Sequence, residues 1–365
     1  VSLEPRLSRR LQGFAALLTG LIGLVVGIGI GVRWVAADVV NWKTIIALAG
    51  LIGGLFLIVL GIRFVTHGMR PLTRFSAGAL LILISLIFVW VFAPAVIATN
   101  VPPVPGSSAA IDVGVAGRAV QFTAADDVRL WGWYVPPTEG KVVILRHGSG
   151  SDAYSVQPQA RVLVDHGYGI LMTDARGHGR SDGTAMDFGW HGDADTTAAL
   201  DFLVGLPEVD ENRIAVVGMS MGGEEAIGAA GSDERIAAVV AEGATARTDQ
   251  DKNWLIDAYG WRGRVQVGLE WLQYGLTELL SGSERPISLA EAAADASPRP
   301  ILMITGGAVP DEALAAAHVR AVAGDNVSVW TVPGAGHTQG LAVSQKDWEQ
   351  MVIGFLDQAL TAAPR

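Results

Sequence analysis

Apolar positions fall into two regimes along the chain. In the first hundred residues they form three long runs, residues 11–32, 44–62 and 76–98, none holding a charged side chain. Each is near the roughly 20 residues a helix needs to cross a bilayer core. Three in succession with short charged loops between them predict membrane spans rather than buried core helices. The first run is too long for a signal peptide, and two more follow it. From residue 111 onward the apolar runs shorten to four to eight positions and alternate with segments of helical periodicity. Strands are expected at 119–123, 128–135, 141–145, 169–173, 213–217, 236–241, 301–305 and 327–332. Helices are expected at 154–166, 193–206, from 224 onward, 311–323 and 348–360. The first two strands read as a hairpin about Asp126-Asp127. The alternation predicts an α/β domain with a mostly parallel sheet covered on both faces.

The expected organisation is a three-span anchor over 1–98, a linker over 99–110 rich in Pro, Gly and Ser, and a domain over 111–365. Gly23, Gly27 and Gly31 recur at four-residue spacing and give the first span a small face. That face suits close packing among the spans, with dimerisation as the second use. No acidic or basic residue lies in mid-span, so the spans read as an anchor rather than an ion path.

Charge sets the expected orientation. Arg6, Arg9 and Arg10 precede the first span, and Arg63, Arg70 and Arg74 lie between the second and third. Arg33 and Lys43, offset by Asp38, lie between the first and second, and no Lys or Arg follows the third until Arg118. The excess of basic residues predicts a multi-pass protein of the cell membrane with a cytoplasmic N-terminus and an extracytoplasmic C-terminal domain. The net charge of −10 argues against nucleic acid as a partner. There is no cysteine, hence no disulfide framework, thiolate metal site or cysteine nucleophile.

The chemistry gathers around one serine. Gly218-Met219-Ser220-Met221-Gly222-Gly223 follows a buried-strand run and precedes a helical one. A strand, a sharp Gly-x-Ser-x-Gly turn and a helix are the sequence form of a nucleophile elbow. A second match, Gly179-Arg180-Ser181-Asp182-Gly183, sits in a polar, glycine-rich stretch without that context and reads as a loop.

With Arg146-His147-Gly148-Ser149-Gly150, with Asp174-Ala175-Arg176-Gly177-His178-Gly179 and with Gly334-Ala335-Gly336-His337, the elbow completes a set of motifs in order. From about residue 119 to the end, the chain resembles the α/β-hydrolase family, in particular its esterase and acyl-peptidase-like branches. The resemblance implies an α/β-hydrolase fold with a helical lid insertion, at about 248–297. It implies a serine hydrolase acting through an acyl-enzyme on Ser220, with His337 as general base. His318 lies inside an expected helix and is set aside.

The family's acid is expected after the 301–305 strand, but that loop reads Gly306-Gly307-Ala308-Val309-Pro310-Asp311-Glu312. Glu312, Asp311 and Glu242 stay open as candidates. The oxyanion donors are expected to be the backbone N–H groups of Met221 and Ser149. His147, His178 and Asp174 read as loop organisers. No His-Glu-x-x-His spacing is present, and neither metal nor cofactor is expected. The implied substrates are small-molecule, lipid-like or peptide acyl compounds, and serine peptidase or acyltransferase chemistry would use the same residues. A non-catalytic binding protein on this fold is the alternative, suggested by the irregular acid loop. A dehalogenase is disfavoured because the elbow carries serine, not aspartate. Trp254, Tyr259, Trp261, Trp271 and Tyr274 in the insertion either line a pocket or pack the lid.

Overall fold

The computed structural model describes residues 4–37 and 40–361. Asp38 and the side chain of Arg6, both used to weigh orientation, lie outside the described positions, as do the outermost residues of the anchor and domain. The chain divides into two compact units, Val1–Pro102 with Gly268–Ser283, and Pro103–Val267 with Glu284–Arg365.

In the first unit the three apolar runs are helices α1 (Glu4–Ala36), α2 (Trp42–Val65) and α3 (Pro71–Thr99). All three are long and apolar enough to cross a membrane. Each extends beyond its apolar run, because a helix does not stop where hydrophobicity does. Asn41 stops α2 at its start, accepting from the Lys43 and Thr44 N–H groups while Thr44 Oγ1 accepts from the Asn41 N–H. Glycines let α1 and α2 approach at backbone distance. A Cβ on Gly27 would lie 2.6 Å from Leu51 N, and one on Gly54 would lie 2.7 Å from Leu24 N. Gly31 faces Ala47 Cβ. The small face of α1 is therefore used within the unit.

The second unit begins with β1 (Val104–Pro105), β2 (Arg118–Thr123), β3 (Arg129–Val135) and β4 (Val142–Arg146). Then come α4 (Gln157–Asp165), β5 (Gly169–Thr173), β6 (His178–Gly179), α5 (Gly192–Val204), β7 (Ile214–Met219), α6 (Met221–Ser232) and β8 (Ile236–Glu242). The insertion holds α7 (Trp254–Tyr259), α8 (Trp261–Ser281) and α9 (Leu289–Asp295). The chain ends with β9 (Ile301–Gly306), α10 (Pro310–Ala323), β10 (Val327–Val332), α11 (Gly340–Val343) and α12 (Gln345–Thr361).

Eight strands form one sheet in the order β10-β9-β8-β7-β4-β5-β3-β2. The β2–β3 and β3–β5 pairs are antiparallel and the rest parallel. The central strands are buried on both faces, so β4 and β7 read as continuous apolar runs rather than alternating ones. One face carries Leu200, Ile227, Ala292 and Ala316 from α5, α6, α9 and α10. The other carries Leu163, Trp348 and Leu356 from α4 and α12. This is the fold of the α/β hydrolases.

Three expectations change. The second unit starts before residue 111, because β1 within the expected linker pairs in parallel with β6. The 154–166 helix is split, opening as a 3-10 turn (Ala153–Val156) before Pro158 sits in the first turn of α4. The end of the insertion is core rather than lid: Leu289, Ala290, Ala292 and Ala293 of α9 are buried against the body. An alanine-rich segment lacks the bulky periodic residues that would have revealed this from sequence. Of the insertion's aromatics, Tyr274 is buried, Trp254 is half-buried, and Tyr259, Trp261 and Trp271 are exposed.

The α1–α2 contact yields a test. Gly27→Val and Gly54→Val should each destabilise the detergent-solubilised protein by about 1–3 kcal/mol through overpacking. Gly53→Val, where a Cβ would meet nothing within 4 Å, should be near neutral. Thermal unfolding of the three variants reads the difference, and equal midpoints would refute the close packing.

Candidate active site

Ser220 sits between the end of β7 and the start of α6 with φ +54° and ψ −120°. A serine tolerates this region only where its neighbours hold it, at a cost of about 1–3 kcal/mol. The neighbours are glycines for a steric reason. A Cβ on Gly218 would collide with Gly222 O, and one on Gly222 would lie 2.6 Å from Arg146 O and 2.7 Å from His147 O. The Ser220 N–H donates to Glu242 O at 2.7 Å, fastening the turn to β8.

His337 comes from the turn after β10. Its Nε2 accepts from Ser220 Oγ at 2.8 Å, and its Nδ1–H donates to Glu312 Oε1 at 2.7 Å. Gly243, at φ +72°, makes room for the ring, since a Cβ there would lie 2.9 Å from His337 Cε1. Hydrogen bonding to Glu312 raises the His337 pKa above its ordinary value, against the opposing pull of partial burial; the charge of Glu312, then Glu224 and Glu242, adds to the rise.

Among the three acid candidates, Glu312 meets His337. It is the third residue of α10, and its other oxygen accepts from the Gly306 N–H at 2.7 Å. The short Gly306-Gly307-Ala308-Val309 turn carries no carboxylate at the strand end. The helix brings a glutamate instead, one methylene longer than aspartate. Asp311 points to solvent. Glu242 is buried on other work: it accepts from the Gly340 N–H at 2.7 Å and from Trp348 Nε1 at 2.9 Å, tying α11 and α12 to β8. His318 lies on α10, away from these contacts.

Met221 is the first residue of α6, so its N–H has no intrahelical partner. The loop after β4 passes beside Ser220, with the Cβ position of Gly148 only 3.2 Å from Ser220 Cβ. Gly148 O accepts from His147 Nδ1 and from Ser151 Oγ, both at 2.8 Å. In a trans peptide this turns the Ser149 N–H to the opposite side. Ser149 Oγ donates to Asp187 Oδ1 at 2.5 Å. His147 Nε2 accepts from the Ala175 N–H at 2.9 Å. Burial, then the neighbouring His178, pushes the His147 pKa down to about 3, so this ring is a neutral brace. Asp174 accepts from the Ala153 and Arg180 N–H groups. Ser181 donates to Asp174 O and accepts from the Trp131 N–H, as a loop residue does. Among the described residues no cluster of His, Asp and Glu is arranged to hold a metal ion.

Beneath the site lie buried charges that no sequence motif marks. Arg146 is buried and pairs with Glu225, Nη2 to Oε2 at 2.5 Å. Burial raises the Glu225 pKa to about 7 although Arg146 opposes it. Glu224, also raised to about 7 by burial, accepts from the Thr245 and Ala246 N–H groups and so holds the strand exit of β8. A signal existed. The helix after Ser220 is otherwise Met, Gly, Ala, Ile and Ser, apolar or small all round, so its two glutamates had to be buried and partnered.

Residues 137–300 match the family model described as serine aminopeptidase, S33. An uncharacterized protein of Mycobacterium tuberculosis is 36% identical over 131 residues, which cover 35% of this chain and 45% of that protein. An uncharacterized protein of Escherichia coli is 28% identical over 201 residues, 53% of this chain and 63% of the relative. The matches thus span about half the length of these curated relatives. Among solved structures, an esterase of Pyrococcus furiosus aligns with a TM-score of 0.56 and 25% identity, covering 71% of this chain and 97% of the esterase. A sheet wound in this order, matched through its centre by a hydrolase family model and over nearly a whole esterase, gives the chain the α/β-hydrolase fold.

Proposed function

We propose that the protein is a membrane-anchored serine hydrolase that cleaves an ester, thioester or amide through an acyl-enzyme on Ser220. The observation that carries the reading is the position of His337, hydrogen-bonded at once to Ser220 Oγ at 2.8 Å and to Glu312 at 2.7 Å. In this reading Nε2 takes the Ser220 proton as Oγ attacks the acyl carbon. Glu312 holds the ring in the tautomer that leaves Nε2 free and stabilises the imidazolium that forms. The N–H groups of Met221 and Ser149 receive the negative oxygen. The imidazolium then protonates the leaving group, and the same histidine activates a water that releases the acid. The irregular loop that suggested a non-catalytic protein supplies Glu312, so it no longer favours that alternative.

An ester is the first-choice substrate, because its leaving group demands the least protonation. Amide cleavage is the second reading, supported by the aminopeptidase description of the matching family. The exposed Trp261, Trp271 and Leu279 of α8 favour an amphiphilic acyl compound. The three long apolar helices support anchoring, and the basic residues around them support an extracytoplasmic domain.

A fluorophosphonate probe should label the wild type and leave Ser220→Ala unlabelled. Equal labelling of a folded Ser220→Ala would exclude Ser220 as the nucleophile.

The pH dependence follows from His337. A general base works deprotonated, so kcat/KM should rise with pH through an inflection above the ordinary histidine value of about 6.5. Glu312→Gln removes the largest cause of the raised pKa. The inflection should move down and kcat should fall by about 10³–10⁴. The sign for stability is opposite to that for activity. The Glu312 contact stabilises the protonated ring, so it contributes below about pH 6.5 and is lost as pH rises through the raised value. An unmoved inflection in a pH–rate profile of Glu312→Gln would overturn the assignment.

Orientation can be read directly because the chain has no cysteine. Glu211→Cys, at an exposed position, should react with a membrane-impermeant maleimide on intact cells. Reaction only after lysis would place the domain in the cytoplasm.

A further inference from the structure

The residues immediately ahead of the hydrolase sheet reach the loop that carries an oxyanion donor. β1 pairs in parallel with β6, Val104 opposite His178 and Pro105 opposite Gly179. The Val104 N–H donates to Gly177 O at 3.2 Å. Gly106 lies so close to Gly179 that a Cβ on it would be 3.2–3.4 Å from that backbone. The Ser107 N–H then donates to Asp152 Oδ2 at 2.5 Å.

Both points of attachment belong to the oxyanion loop's supports. Asp152 closes the loop on its far side and caps the 3-10 turn, accepting from the Tyr154 N–H at 3.2 Å. His178 is buried and donates from Nδ1 to Arg176 O at 3.0 Å, which leaves Nε2 as an acceptor. That Nε2 accepts from the Gly150 N–H at 3.3 Å. Gly150 adopts φ +73°, so the loop turns back at the residue His178 holds. All of these contacts lie within the second unit.

We propose that residues 104–107 form a positioning strap. They hold His178 and Asp152, and through them fix the backbone N–H groups of residues 148–150 beside Ser220. The strap adds no strand to the eight-stranded sheet, so weakening it leaves that sheet's pairing in place. The loop's geometry depends on it. The residues involved are positioning residues, and the inference rests on the serine-hydrolase reading above.

The test uses the full chain in detergent micelles or nanodiscs. Val104→Pro removes the donated N–H at a position already flanked by Pro103 and Pro105. Gly106→Val pushes the strap off Gly179. The readouts are kcat and KM on a p-nitrophenyl acyl ester, inhibition by a trifluoromethyl ketone whose serine adduct carries the oxyanion, the acid-limb inflection, and the unfolding midpoint. The expected result is a fall of about tenfold in kcat and a matching loss of ketone affinity. That is smaller than the ~10²–10³-fold that follows loss of a whole oxyanion donor. KM, the inflection and the unfolding midpoint should stay put. His178→Gln, which keeps an acceptor near the Nε2 position, should retain more activity than His178→Phe. Wild-type kcat and ketone affinity in both strap variants would overturn the proposal. So would a kcat loss that merely tracks a lowered unfolding midpoint. A folded wild type that neither turns over nor is labelled by the fluorophosphonate would sink the hydrolase reading itself, and the strap's role with it, by an observation independent of the variants.

Discussion

The site depends on a crowding constraint at one turn. Gly218 and Gly222 bring the backbone of the Ser220 turn against itself and against the carbonyls of Arg146 and His147. Nothing larger than hydrogen fits at either position without moving α6 from β7 or from the end of β4. The register of the central sheet, Arg146 opposite Gly218 and Gly218 opposite Ala241, is compatible with the turn only in this form. The strained φ of Ser220 is thereby held by three strands at once, through β7 itself, the β4 carbonyls and the hydrogen bond to Glu242 O. Rigid placement of the hydroxyl follows from backbone packing rather than from any side-chain contact.

The same crowding explains the charges below. Small residues around the turn leave space that larger polar groups fill. Gly192 lies against Glu225, and Gly228 lies against Arg247 and Asp193. Arg146 with Glu225, Arg247 with Asp193, and Arg176 with Asp195 and Asp126 each join a strand exit or loop to a helix. Removing one partner from a buried pair such as Arg146 with Glu225 costs about 3–5 kcal/mol, because the other charge is left alone. Such pairs are weak contributors to net stability but firm constraints on geometry, and here they determine where the loops leave the sheet. Asp251 serves the start of the insertion in the same way, accepting from the N–H groups of Arg247, Thr248 and Leu289. The insertion is thus pinned at its root while Tyr259, Trp261 and Trp271 further along stand exposed.

Much of this was legible in the sequence, for identifiable reasons. The parallel strands were readable because burial on both faces makes them short, continuous apolar runs. Ser220 was readable because its motif sits between a strand and a helix, which Ser181 lacks. His337 was readable from its glycine-rich turn after a strand. The carboxylate beside His337 stays open among three residues in the sequence, because spacing cannot say how far a helix start reaches across a sheet. Glu312 and Asp311 are adjacent, yet one is buried and the other exposed: the 100° step per helical residue decides it. The role of α9 was hidden by its alanines, and the strap by its prolines. A two-residue bridge such as β1 has no periodicity to detect, and Pro and Gly signal a linker whether or not the chain is docked.

The place of Glu312 on α10 has a consequence for how the site is held. A carboxylate in a flexible loop would have to be fixed by side-chain contacts. Glu312 is instead fixed by helix geometry, by burial, and by the Gly306 N–H on its second oxygen. Its register with His337 therefore depends on how far α10 sits from the end of β9, a distance set by the three residues Gly307, Ala308 and Val309. Gly307 leaves room there only for a glycine, since a Cβ would lie 2.9 Å from Val332 O. The Gly307 N–H donates to that same oxygen at 2.9 Å, and the Ala308 N–H donates to Ala335 O at 2.9 Å. Both acceptors lie at the end of β10 or in the turn that carries His337. Glu312 and His337 are thus joined through their backbones as well as through their hydrogen bond, and a displacement of α10 carries the histidine turn with it. This linkage is what holds a glutamate from a helix in register with His337.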